Sequence, residues 1–221
     1  MGTRSLVVVA DDFGIGPEVS RGILELLRLG TVTSTVLIVN SPFACNAVRA
    51  WKQSGRPGEM GWHPNLTMDR PVAAPGQVPS LLTRGGQLAS LRALVARMVT
   101  GRIRYQELVR EFDAQFERYC ELVGATPELL NGHKHIHVFP IIGRALTEVL
   151  RRWKVRPYIR RVVEPLVCLR NIRGARVKRA FLSTLGMAAA ARQDRYGFRG
   201  NDYLAGVTDP RWVEEIGRAH V

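Results

Sequence analysis

The sequence predicts a single α/β domain in which parallel strands alternate with helices packed outside the sheet. Two observations carry this prediction: apolar runs of the buried-strand type are separated by segments with helical spacing, and polar residues directly follow those runs. The chain has 221 residues, of which 46% are hydrophobic and 23% charged, values that are ordinary for a globular protein. An α/β barrel of this length forms one core, so we expect one domain over residues 1–221.

The N-terminal part of the chain alternates between strand and helix. Residues 5–10 are a continuous apolar run rich in β-branched side chains, which is typical of a buried parallel strand. Apolar residues then recur at helical spacing from Pro17 until Gly30. A second strand, a second helix and a third strand are predicted at residues 33–39, 43–53 and 59–62. This βαβαβ order implies a parallel sheet with right-handed crossovers.

The rest of the chain continues the alternation less regularly. Residues 64–86 are rich in proline and glycine and show no sustained period, so we expect a lid or substrate-binding loop there. A strand is predicted to begin at Leu129 and to reach a histidine cluster, and another strand is predicted at residues 155–159. Helices are predicted at residues 87–100, 103–123, 140–149 and 179–191, and a loop at residues 196–202.

No targeting or membrane segment is predicted. The N-terminal apolar run is shorter than the core of a signal peptide, and no stretch approaches the roughly 20 apolar residues of a membrane span. Cys45, Cys120 and Cys168 are odd in number and form no CxxC pair, so we expect buried thiols rather than disulfides or a thiolate zinc site. We therefore expect a cytoplasmic protein without stable membrane insertion.

The net charge of +13 is concentrated in one segment. Residues 151–199 contain fourteen Lys or Arg residues against Glu164 and Asp194. Such a block can bind a polyanion, but it carries no zinc-finger spacing, no RNP-type aromatic pair and no heptad run, so we expect no nucleic-acid partner. Only four of the 32 basic residues are Lys, and this Arg bias is also typical of a GC-rich gene. Both interpretations stay open.

Three of the five histidines lie at alternate positions in the segment Asn-Gly-His-Lys-His-Ile-His, residues 131–137. If this segment is extended, His133, His135 and His137 point to one face, because side chains alternate along a strand. Imidazole binds transition-metal ions and titrates near neutral pH, so the cluster suits metal binding or proton transfer. A His-rich surface strand, or a ring buried in the core, is the alternative.

Two further strand ends carry polar groups. Asp11 and Asp12 follow the first predicted strand, and His63 follows the third. The carboxyl ends of parallel strands lie on one rim, and one Asp with two His can hold a divalent ion there. Adjacent aspartates on a strand point in opposite directions, so we expect one to bind the ion and the other to act as a base. Asp12 as a turn cap and His63 as a core residue are the alternatives.

Four ordered motifs resemble the YdjC-like carbohydrate deacetylases, a family that includes chitooligosaccharide deacetylases and a hopanoid-associated member. The motifs are residues 9–14 (VADDFG), 30–35 (GTVTST), 61–67 (GWHPNLT) and 131–140 (NGHKHIHVFP). The resemblance implies a TIM-like (β/α) barrel and metal-dependent removal of acetyl groups from N-acetylated sugars. An N-acetylated sugar or glycolipid is therefore the expected substrate.

The resemblance also implies roles for individual residues. It places metal ligands at Asp12, His63 and His133 and a general base at Asp11, with Mg²⁺ or Zn²⁺ as the ion. We expect His137 to protonate the leaving nitrogen, and His135 is a second candidate. The expected sugar-binding residues are Asn65, His135, Arg160 and Arg161.

The chain departs from the family pattern in two places. Many members have Asp where this chain has Asn131, and a neutral side chain there would alter the support of the ligands rather than remove one. Members also continue into a segment with a His-Pro motif near the site, a stronger candidate for the proton donor. We therefore expect a barrel incomplete at its C-terminus. Residues 216–221 match the translation of a common sequencing adapter, so we expect a non-native tail in which His220 has no chemical role.

Two other functions stay open. An incomplete barrel could bind an ion or a sugar without turnover, and its exposed apolar edges could favour association, including a homodimer. Alternatively, a metal-dependent sugar-phosphate hydrolase or isomerase could use the basic block to bind phosphate.

Overall fold

The computed structural model describes residues 6–171 and 174–204. Within these ranges five parallel strands form one sheet in sequential order. They are β1 (Val9–Phe13), β2 (Ser34–Leu37), β3 (Glu59–Trp62), β4 (Leu129–Leu130) and β5 (Tyr158–Ile159). The predicted α/β class with parallel strands is confirmed. A (β/α) barrel requires this sequential order, and closure of the barrel stays a prediction. The predicted tail at residues 216–221 lies outside the described residues.

Seven α-helices accompany the strands in the described ranges. They are α1 (Pro17–Arg28), α2 (Ala44–Gln53), α3 (Leu91–Val99), α4 (Tyr105–Val123), α5 (Pro140–Arg152), α6 (Leu166–Asn171) and α7 (Arg176–Arg195). Proline occupies the first turn of α1 and of α5, Ser90 caps α3, and Gly124 ends α4 in the left-handed conformation. The sequence did not predict the short helix α6. No helix described here is long and apolar enough to cross a bilayer.

The first strand begins and ends later than predicted. Residues 6–8 are exposed, whereas β1 continues through both aspartates to Phe13, which is fully buried. The register with β2 shifts between Ala10 and Phe13, and Asp12 has a φ of 66°. This left-handed conformation costs a residue with a side chain roughly 1–2 kcal/mol, and such strain clusters at functional sites. The bulge turns the backbone between the two carboxylates, so they do not simply point to opposite faces.

Trp62, at the end of β3, anchors the core between the sheet and α4. Its ring is fully buried and contacts Phe112 and Phe116 edge to face, at centroid distances of 6.3 and 5.6 Å. Gly61 allows β3 to approach β4, since a Cβ there would overlap the carbonyl oxygen of Leu129. Close packing on both sides therefore fixes the strand end that positions His63.

The proline- and glycine-rich segment 64–86 packs on α4 through buried polar groups. The carboxylate of Glu111 accepts hydrogen bonds of 3.0 Å from the backbone N–H groups of Val72 and Ala73, and one of 2.7 Å from Gln115 Nε2. Glu111 is fully buried, and burial raises its pKa to about 7 despite these hydrogen bonds. The segment is thus held by α4 over part of its length, and its role toward a substrate stays a prediction.

We expect Glu111→Ala to lower the free energy of unfolding by about 3 kcal/mol, because it leaves two backbone N–H groups and one of the two N–H groups of the Gln115 amide buried without an acceptor. Glu117→Ala is the matched control, since Glu117 lies on the exposed face of the same helix. Its free energy of unfolding should change by less than about 0.5 kcal/mol. Urea denaturation followed by circular dichroism measures both values, and equal losses would contradict the role given to Glu111.

Candidate metal centre

Asp12, His63 and His133 meet at the carboxyl ends of β1, β3 and β4, and we call this group the candidate metal centre. Asp12 Oδ1 lies 2.8 Å from Nδ1 of His133 and 3.2 Å from Nε2 of His63. One ligand atom from each residue lies within 4.8 Å of the others. Both imidazoles are buried, while the Asp12 side chain is 36% exposed. The three ligands expected from the sequence are thus brought together, with one side open to solvent.

The donor atoms of this centre fit a divalent ion. The Nδ1–H group of His63 donates a hydrogen bond of 2.6 Å to the carbonyl oxygen of Asn131, so the lone pair of neutral His63 is on Nε2 and faces Asp12. Two lone-pair atoms 3.2 Å apart repel each other unless a proton or a cation lies between them. Burial alone would raise the pKa of Asp12, but hydrogen bonds and positive charge from the His133 and His63 imidazoles, when these rings carry a proton toward the carboxylate, hold that pKa well below its usual value.

Asp11 lies beside the candidate metal centre and is held by two residues. Asn131 Nδ2 donates to Asp11 Oδ1 at 3.1 Å, while the carbonyl oxygen of the same asparagine accepts from His63. Arg160 donates from Nη1 to Oδ2 at 2.6 Å and from Nη2 to Oδ1 at 2.9 Å. Burial would raise the pKa of Asp11, but the Arg160 guanidinium and the nearby His63 lower it below its usual value. Asp11 is therefore an ionised carboxylate next to the candidate metal centre.

Arg160 forms a bidentate ion pair with Asp11, and the sugar-binding role expected for it stays a prediction. Its guanidinium is only 12% exposed and points at the carboxylate. Arg160 directly follows β5, at the same rim of the sheet as the other strand ends. This position is the feature of the sequence that indicates a place for Arg160 in the site. Sequence reasoning identified the strand but missed the partner, because the two residues are 149 positions apart.

The histidine cluster is not extended. Strand β4 ends at Leu130, and His133–Val138 form a short 3₁₀ segment in which Lys134 and His135 have left-handed φ values of 52° and 57°. This kink sends the rings in different directions, so the three-histidine face expected of a strand does not form. His133 faces Asp12, whereas His137 is directed at the backbone.

His137 connects two backbone segments of the site. Its Nε2–H donates to the carbonyl oxygen of Arg160 at 2.9 Å, and its Nδ1 accepts from the N–H of Gly132 at 2.9 Å. Burial and the neighbouring His135 lower the pKa of His137 to about 3, so the ring is neutral near pH 7. Both ring nitrogens are engaged with the backbone, and the proton-donor role expected for His137 stays a prediction. The ring links Gly132, which precedes His133, to Arg160, which holds Asp11.

Two other residues expected to bind sugar form contacts within the protein, and their sugar-binding roles stay predictions. Asn65 is fully buried, and its Nδ2 donates to Asn40 Oδ1 at 3.1 Å. Arg161 forms an ion pair with Asp194. His135 is partly exposed, although its Nδ1 is buried without a hydrogen-bond partner, and burial lowers its pKa to about 4. A role for His135 in substrate binding stays a prediction.

Comparisons with known proteins find relatives over most of the chain. The family model described as YdjC-like protein matches residues 5–217. A carbohydrate deacetylase of Mus musculus is 32% identical over 206 residues, which cover 92% of this chain and 66% of that protein. A carbohydrate deacetylase of Geobacillus stearothermophilus is 36% identical over 157 residues, which cover 70% of this chain and 60% of the relative.

A third relative, a chitooligosaccharide deacetylase of Escherichia fergusonii, is 36% identical over 140 residues, covering 63% of this chain and 52% of that protein. The chain thus spans about half to two thirds of the length of these relatives. Among solved structures, a protein of Enterococcus faecalis V583 suggested to cleave cellobiose phosphate superposes with a TM-score of 0.71 at 21% identity, covering 95% of this chain and 71% of that one. At this identity the likeness supports the fold alone.

We expect the candidate metal centre to bind one divalent ion, which isothermal titration with Zn²⁺ measures. His63→Ala removes one of three ligands and should weaken zinc binding on the order of 100-fold or more. His135→Ala is the matched control, because it removes a nearby imidazole outside the centre and should leave the affinity within about threefold. Unchanged affinity in His63→Ala would show that zinc binds elsewhere.

Proposed function

The chain belongs to the YdjC-like protein family, and on that basis we propose that it is a metal-dependent hydrolase that removes acetyl groups from N-acetylated carbohydrates. The observation that carries the proposal is an ionised carboxylate, Asp11, held beside the candidate metal centre. A carboxylate base next to a divalent-ion site suits amide hydrolysis by water. The relatives named carbohydrate and chitooligosaccharide deacetylases support the class of substrate.

The candidate metal centre would hold the ion through two imidazole nitrogens and one carboxylate oxygen. When bound, such an ion polarises the acetyl carbonyl and lowers the pKa of water. This donor set suits Zn²⁺ better than Mg²⁺, which prefers oxygen ligands in octahedral geometry. We therefore propose tighter binding of Zn²⁺ than of Mg²⁺.

Asp11 would accept the proton of the attacking water. An ionised carboxylate has about four acceptor sites. Asn131 and Arg160 use three of them, two on Oδ1 and one on Oδ2, so one site on Oδ2 remains for the proton. The side chain is 34% exposed, which leaves this oxygen accessible to water.

Arg160 and His137 would act on the reaction through Asp11. Two parallel hydrogen bonds from the Arg160 guanidinium keep the carboxylate ionised and fix its orientation. His137 in turn holds the backbone of Arg160, because its Nε2–H donates a hydrogen bond to the Arg160 carbonyl oxygen. These two residues are positioning residues, and neither needs to touch the substrate.

The proposal is tested by incubating the chain with a divalent ion and N-acetylated chitooligosaccharides and measuring released acetate. We expect Asp11→Asn to lower the rate about 1000-fold, because general-base catalysis contributes roughly 100- to 10,000-fold. Glu117→Ala, on the exposed face of α4, should keep the wild-type rate.

No acetate from the wild-type chain, or an unchanged rate in Asp11→Asn, would contradict the proposal. Release of phosphate from a sugar phosphate, without release of acetate, would favour a sugar-phosphate hydrolase instead.

Arg160→Gln should shift the pH dependence of acetate release. Because the guanidinium favours the charged form of Asp11, its loss raises the pKa of Asp11. Asp11 is then protonated, and lost as a base, at a higher pH, so the acidic limb of kcat/KM moves to higher pH. Arg161→Gln is the matched control, since the Arg161 guanidinium faces Asp194. An acidic limb that stays in place in Arg160→Gln would contradict the role of Arg160.

A further inference from the structure

A cavity of about 150 Å³ lies among α4, α5 and α7, and none of its lining residues belongs to the candidate metal centre. Three arginines contribute to its wall: Arg144 and Arg151 from α5, and Arg192 from α7. Two tyrosines also line it: Tyr105 at the start of α4, and Tyr196 directly after α7. The cavity is therefore both basic and aromatic.

The positive charge of this cavity is not neutralised by the described part of the chain. None of the three lining arginines forms an ion pair with a carboxylate there. The acidic side chain in the wall, Glu148, accepts a hydrogen bond of 2.7 Å from the Tyr105 hydroxyl and pairs with Arg152 at 3.4 Å. Because Glu148 is engaged with Tyr105 and Arg152, the positive charge of the three lining arginines exceeds the negative charge in the cavity wall.

Arg192 is the most buried of the three arginines, since Arg144 and Arg151 are exposed. Its side chain is partly buried, and its Nε is fully buried without a hydrogen-bond partner. Nη2 is 3.5 Å from the carbonyl oxygen of His137, and the guanidinium fits against α5 only because Gly143 has no Cβ. Burial lowers the pKa of Arg192, Tyr196 opposes this shift, and Arg144 adds to it. A buried guanidinium N–H group without an acceptor, such as Nε–H of Arg192, is costly, and a bound anion would offset that cost.

Aromatic contacts orient the other two guanidiniums. Arg144 lies over the ring of Tyr105 at 5.5 Å from the centroid, and Arg151 lies over the ring of Tyr196 at 4.8 Å. Such cation–π contacts restrict the side chains before any ligand arrives, so less conformational entropy is lost on binding.

We propose that this cavity binds an oxyanion of the phosphate class, either inorganic phosphate or the phosphate group of a small ester. Its volume of 150 Å³ is far above the roughly 15 Å³ that one water molecule requires, so a tetrahedral anion has room. Guanidinium groups match the geometry of phosphate oxygens through paired N–H donors. Arg151 and Arg192, which line the cavity, belong to the basic segment 151–199. Phosphate binding would therefore explain basic residues that have no role in the proposed deacetylation.

The test is isothermal titration of the full chain with inorganic phosphate at constant ionic strength, without divalent ion or sugar, so its outcome is independent of the proposed enzyme activity. We expect saturable binding at one site, weakened about tenfold in Arg144→Gln, because one charge-assisted contact is lost. Arg49→Gln on α2 is the matched control: it removes the same charge from an element that does not line the cavity, and it should keep the wild-type affinity.

A parallel titration with glycerol 3-phosphate distinguishes free phosphate from a phosphate ester as the ligand. Tighter binding of glycerol 3-phosphate than of inorganic phosphate indicates an ester, and weaker binding indicates the free anion. If circular dichroism shows that Arg144→Gln is unfolded, Arg151→Gln, also exposed on α5, carries the same expectation. Absence of saturable binding, or equal weakening in Arg49→Gln, would overturn the proposal, because phosphate would then respond only to the net charge of +13.

Discussion

The left-handed turn at Asp12 is the constraint on which the site depends. In a regular strand, Asp11 and Asp12 would point to opposite faces. The bulge in β1 and the φ of 66° at Asp12 bring one carboxylate to His63 and His133 while the other meets Asn131 and Arg160. The strain is offset by the hydrogen bonds that both carboxylates gain, which is how strained backbone persists at functional sites.

A second set of contacts joins the strand ends to one another. Asn131 touches both His63 and Asp11, and His137 joins Gly132 to Arg160. These bonds run between β1, β3, β4 and β5, so each side chain at the rim is fixed by an element distant in sequence. A neutral Asn131 suits this position, because its amide donates to Asp11, whereas a second carboxylate there would repel it.

The sequence predicted the α/β class, the third strand and the three residues of the candidate metal centre, because those features are encoded locally or in short motifs. The partners across the sheet were missed. Nothing near Arg160 in the sequence indicates that it pairs with Asp11. The alternating histidines have the spacing of a strand, but the left-handed conformations of Lys134 and His135 prevent an extended backbone there. The start of β1 was misplaced since an apolar run does not reveal which of its residues pair with β2.

We propose that Asp12, His63 and His133 hold one divalent ion beside Asp11. A crystal structure of the chain grown with Zn²⁺, with anomalous data collected at the zinc edge, tests it most directly. We expect one strong peak about 2.0–2.2 Å from Asp12 Oδ1, His63 Nε2 and His133 Nδ1. A peak on His135 instead, or no peak at the rim of the sheet, would contradict it.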